Sequence, residues 1–77
     1  MNTELLKDKT IKGWHFEWNK EDSYYQCRGS VCYDEDHDEI PEESLIAAAM
    51  QLELNLVSAG YDTDLQYGEK GYIYINI

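Results

Sequence analysis

Asp34, Asp36 and Asp38 stand at alternate positions, the spacing with which a calcium loop begins, because a hard cation needs several carboxylate oxygens on one turn. The pattern stops there. The sixth position of such a loop is Glu39, where glycine makes the sharp turn, and the twelfth is Leu45, where a bidentate glutamate belongs. His37 inside the run offers a single transition-metal ligand, too little for a site. Cys27 and Cys32 are the only thiols and His15 and His37 the only histidines. A thiol nucleophile with His15 as its base therefore requires the fold to bring the two within hydrogen-bond reach. The sequence has no nucleophile elbow, no phosphate-cradling glycine loop and no zinc spacing. The expectation is a protein without catalytic groups, resident metal or cofactor.

Charge is the remaining signal. Seven of the ten residues 34–43 are acidic: Asp34, Glu35, Asp36, Asp38, Glu39, Glu42 and Glu43. The whole chain has 16 acidic against 6 basic residues and a formal charge of −10. Such a surface repels nucleic acid and anionic lipid, and it attracts basic protein surfaces by long-range steering that salt weakens. Direct nucleic-acid binding is excluded on the same ground, since phosphate contacts need clustered Lys and Arg and the bases here are scattered. With 43% hydrophobic and 13% aromatic residues the chain is too apolar for a disordered acidic tail. At 77 residues it is one domain, and a domain of this size buries only about 60% of its unfolded surface, so oligomerisation would add needed stability. The opening MNTELLKDKT has no apolar run and no stretch approaches the roughly 18 residues of a membrane span, which predicts a soluble, cytoplasmic protein without membrane contact.

The elements that must position these acids follow from periodicity. In residues 11–18, Trp14, Phe16 and Trp18 alternate with His15 and Glu17, a strand with one aromatic face. Residues 19–23 form a polar turn, and residues 24–33 alternate again, with Tyr25, Cys27, Gly29, Val31 and Tyr33 on one side, so the pair predicts a hairpin. Gly29 within that strand marks a bulge or a place where another group, such as a Trp ring, lies against the backbone. On one strand Cys27 and Cys32 would be roughly 16 Å apart and on opposite faces, beyond the reach of about 7 Å for a disulfide, so free thiols are expected.

Residues 41–59 read as the helix: Pro41 suits its first position, Glu42 and Glu43 its positive end, and Gly60 its C-terminal cap. Leu45, Ile46, Ala49, Met50, Leu52, Leu56 and Val57 cover an arc wider than the roughly 100° stripe of a one-sided helix, and Leu54 widens it. Glu53 falls inside that arc and is expected to reach out past its rim. After Gly60 the period returns to two, with a turn at residues 68–71 between two strands that run from Tyr61 and to Ile77.

The predicted fold is therefore α+β: a small four-stranded sheet made of two hairpins, in the order ββαββ, with one helix packed across one face. Residues 11–77 form the domain and residues 1–10 an extension, a short helical turn or disordered. The expected core is Trp14, Phe16, Trp18, Val31, Leu45, Ala49, Leu52, Leu56, Leu65, Ile73 and Ile75. The uncovered face would carry His15, Glu17, Gln26, Arg28, Asp62, Asp64, Tyr72 and Tyr74, and tyrosine is enriched in interfaces. A wide apolar helix and a terminal strand with an open edge predict a homodimer.

These features suggest a non-catalytic inhibitor that covers a basic surface of a nucleic-acid-binding protein. Its partner-binding residues would be the acid run together with Asp62, Asp64, Tyr72 and Tyr74, the carboxylates standing where phosphates would. In size, acidity and tyrosine content the chain is similar in type and composition to the small acidic proteins that phages make against host defence or nucleic-acid-binding proteins; no motif carries that similarity. An antitoxin or immunity protein against a basic toxin belongs to the same physical class. The alternative is a dimeric assembly module in which the acids serve solubility.

Overall fold

In a computed structural model, which describes residues 6–77, an antiparallel sheet of five strands carries one helix on one face. The strands are β1 (Lys9–Ile11), β2 (Trp14–Asn19), β3 (Tyr24–Arg28), β6 (Asp64–Tyr67) and β7 (Tyr72–Asn76), in the spatial order β1-β2-β3-β7-β6. The helix α1 is Glu43–Ser58, and a separate two-stranded ribbon pairs β4 (Val31–Tyr33) with β5 (Glu39–Pro41). The class is the predicted one, but three features differ from the four-stranded expectation.

The first is β1, which falls on part of the presumed extension. Lys12 and Gly13 both have positive φ, 51° and 86°, the geometry of a two-residue hairpin turn whose twist matches its strands, so Lys9–Ile11 folds back on Trp14–Phe16. The chain ahead of it is also fastened. The Tyr25 hydroxyl donates to the Lys7 carbonyl at 2.8 Å, and Asp8 accepts from the Trp18 amide at 2.7 Å. Residues 1–5, the remainder of the expected extension, lie outside the described residues.

The second is a break in the expected strand 24–33. β3 ends at Arg28, because Gly29 passes so close to the helix start that an added Cβ would lie 2.9 Å from Leu45, 3.2 Å from the Glu42 side chain and 3.2 Å from the Trp14 ring. The close approach of a Trp ring expected from the sequence is there. The Gly29 amide donates to the Gly71 carbonyl at 2.9 Å, and beyond it the chain leaves the sheet to make the ribbon. Pro41, expected inside the helix, ends β5 opposite Val31 and is fully buried; a residue without an N–H suits a strand margin.

The third is the position of the last strand. β7 is paired on both sides, with β3 from Tyr24↔Asn76 to Arg28↔Tyr72 and with β6 from Asp64↔Asn76 to Tyr67↔Ile73, so the open edge expected there does not exist. The edges are β1 and β6.

The core lies between sheet and helix: Phe16, Tyr25, Cys27, Ile73 and Ile75 meet Leu45, Ala48, Ala49, Leu52 and Leu56. Trp14, Trp18 and Leu65 pack at its rim instead of inside it, and Val31, expected in the core, is exposed on the ribbon. The helix ends as the sequence predicts. Gly60 takes φ +98°, its amide donates to the Val57 carbonyl and the Tyr61 amide to the Leu56 carbonyl, which together satisfy the last turn. Among the described residues no helix is long and apolar enough to cross a membrane.

Candidate functional site

The acid run is built into the ribbon. Tyr33↔Glu39, Cys32↔Ile40 and Val31↔Pro41 pair across it, and residues 34–38 make its tip. Two-stranded ribbons are marginal in water by themselves, so the tip needs its own fastening. Asp34 provides it: one carboxylate oxygen accepts from the amides of Asp36 (2.9 Å) and Asp38 (3.0 Å), while its backbone carbonyl accepts from the His37 amide at 3.0 Å. His37 takes the left-handed conformation at φ 63° that closes the loop. Every residue from 30 to 39 is exposed, including Val31 and Tyr33 (63%), so the ribbon is open to solvent up to its base, where Ile40 is half-buried and Pro41 buried.

The base of the ribbon is clasped to the helix. Glu42 sits at the helix N-cap with extended backbone, but its side chain makes no capping bond to the helix. One of its oxygens accepts from the Ser30 amide at 2.9 Å and the other from the Ser44 hydroxyl at 2.8 Å. The Ser30 amide, then the Ser44 and Ser30 side chains, hold this carboxyl below the usual glutamate range. Glu42 is thus structural, a correction to the dipole role its position suggests.

The predicted site residues separate into groups. Glu35, Asp36, Asp38 and Glu39 are free acids of the ribbon, Asp34 and Glu42 hold its two ends, and Glu43 is exposed in the first helical turn. Carboxylate oxygens of Asp34, Asp36 and Asp38 come within 4.8 Å of one another, a concentration of like charge in which Asp34 already has amide partners. Asp64 is elsewhere. It pairs with Asn76, which pairs with Tyr24, whereas the ribbon leaves from the Arg28 end of β3, about 13 Å away along the strand. Asp62, exposed just ahead of β6, belongs to that distant end.

Tyr72 and Tyr74 lie on the uncovered sheet face as expected, joined by a third ring that sequence reasoning left out. Tyr24 meets Tyr74 edge-on at 5.6 Å, Tyr74 and Tyr72 are parallel at 6.0 Å, and the Arg28 guanidinium stands 5.4 Å over Tyr72. Tyr24 shares the parity of Gln26 and Arg28, so the alternation did contain the signal. Arg28 is fixed by a bond from its Nε to the Lys70 carbonyl at 3.2 Å. Beside it the β2–β3 ladder stops at Glu17↔Gln26, and the splayed strands leave an open groove of about 370 Å³.

The thiols are free, Cys27 buried and Cys32 exposed on the ribbon. They lie on different strands and not on one. Burial pushes the Cys27 thiol up, the opposite of what activates a nucleophile, with the Arg28 backbone opposing. His15 directs its nitrogens at Thr10 (3.4 Å) and Asp8 (3.6 Å). Comparisons with protein-family models, with curated proteins and with solved structures find no match to this chain.

Proposed function

We propose that the protein is a non-catalytic binding protein that uses the acid ribbon to occupy a basic, nucleic-acid-binding surface of another protein and so inhibits it. The observation that carries this reading is a ten-residue exposed segment, residues 30–39, fastened at its tip by Asp34 and at its base by Glu42. Holding charge in place lowers the entropy lost on binding, and a projecting acidic element steers a basic partner toward itself. Glu35, Asp36, Asp38 and Glu39 supply the carboxylates, and the exposed Tyr33 ring supplies apolar contact area of the kind interfaces favour. The Tyr24, Tyr72 and Tyr74 face is a second contact area, whereas Asp62 and Asp64 lie too far along the sheet to extend the ribbon's charge.

The test is charge reversal at ribbon acids that hold no structure. In Glu35→Lys/Asp36→Lys/Glu39→Lys the fold should persist, because none of these three side chains makes a hydrogen bond among the described residues. A basic protein captured by the native chain should be displaced by duplex DNA or RNA, should bind more weakly as salt rises, and should be lost by the triple variant. Equal binding by the variant, or indifference to nucleic acid, would refute the proposal.

A further inference from the structure

The outer surface of α1 is unlike the rest of this chain. Met50, Leu54 and Val57 are 54%, 62% and 53% exposed, and at 100° per residue Leu54 lies almost diametrically opposite the buried Leu45, Leu52 and Leu56. Ile46, half-buried, continues the same stripe toward the helix start. A helix covering a core on one side ordinarily carries charge on the other. Here every exposed helical residue after Glu43 is uncharged, and the single remaining charge, Glu53, is half-buried and accepts from the Thr63 hydroxyl at 2.9 Å. Gln51 and Asn55, bonded to each other at 3.0 Å, edge the stripe with neutral polar groups.

We propose that this face is a self-association surface on which two copies of the chain pair through antiparallel α1 helices. Two features select a second copy as the occupant. Any like chain also carries −10, so two copies meet most closely where neither presents charge, and the stretch from Ile46 to Val57 is such a place; exposed Glu43, at nearly the same angle as Met50 and Leu54, marks its N-terminal limit. A basic partner, in contrast, would find a single carboxylate to pair with, Glu43 at the end of the stretch. The area sets the strength. The uncharged stretch from Ile46 to Val57 is about 18 Å long and presents a strip about 10 Å wide, well under the roughly 800 Å² per partner of a standard interface, so the dimer is weak. The proposal uses none of the ribbon residues and stands independently of the proposed function.

Sedimentation equilibrium of the purified protein tests it. The expected result is a monomer–dimer equilibrium that tightens between about 20 and about 300 mM NaCl, as screening shrinks the repulsion of the two anionic bodies. Leu54→Glu should weaken dimerisation roughly tenfold or more without lowering the melting temperature of the monomer, since Leu54 is mostly exposed, and Met50→Glu should do the same. A chain that stays monomeric to about 0.5 mM in high salt overturns the proposal, as does a dimer that survives both substitutions.

Discussion

Gly71 and Gly13 have nearly the same φ, +83° and +86°, in opposite surroundings, and this makes a controlled test of how the ribbon is held. A Cβ at Gly13 would meet nothing within 4 Å, whereas one at Gly71 would fall on the Gly29 carbonyl oxygen, with the Ser30 carbonyl carbon at 3.3 Å. Gly13→Ala should therefore cost only the left-handed backbone strain, about 1 kcal/mol. Gly71→Ala meets the same strain and must also push the Gly29 segment away. That breaks the 2.9 Å bond from the Gly29 amide to the Gly71 carbonyl, about 1 kcal/mol, and loosens the packing of Gly29 against Leu45 and Trp14, about 1 kcal/mol more. The stiffening of the unfolded chain by alanine is common to both variants and cancels. At roughly 4–8 °C per kcal/mol for a chain of this size, the remaining difference of about 2 kcal/mol should lower the melting temperature of Gly71→Ala by about 8–16 °C more than that of Gly13→Ala. Thermal unfolding followed by circular dichroism measures both. Equal losses would refute the view that the Gly29–Gly71 crossing is tightly packed, and with it the account of why β3 ends at Arg28.

Repulsion in the ribbon predicts that moderate salt stabilises the isolated protein; the melting temperature should rise from about 10 to about 300 mM NaCl, and rise less in Glu35→Gln/Asp36→Asn. The buried Cys27 thiol has a raised pKa, so its stability contribution is complete below the ordinary thiol range of about 8.5 and declines as pH climbs through it, because the unfolded chain ionises first. Cys27→Ala should flatten that alkaline limb of a melting-temperature profile. Glu42 works in the opposite direction: its lowered pKa gives stability that is complete above the usual glutamate range and lost as pH falls through the folded value, and Glu42→Gln should flatten the acid limb.

The sequence by itself determined the elements whose signal is local. The 3.6-residue spacing of Leu45, Ala49, Leu52 and Leu56 and the glycine at position 60 give α1 and its end, and strict alternation gives β2, β3 and β7. The crowding at Gly29 was legible as well, since a glycine inside a strand of large residues needs a neighbour to explain it. Local signals could not show that residues 24–33 change partners, because the alternation runs unbroken from Tyr24 to Tyr33 while Gly29 turns the chain from β7 toward β5. Nor could they show β1, three residues without an apolar pattern, which pairs through the turn at Lys12 and Gly13. For the site, the acids and their sign were plain in the sequence. Only the tertiary structure decided that Asp34 and Glu42 serve as fasteners, that Asp62 and Asp64 lie at the far end of the sheet, that β7 is enclosed, and that Leu54 faces solvent. Asp34's part is a local turn within the run, but the others depend on which segments meet across long stretches of chain, and period and composition do not say which segments those are.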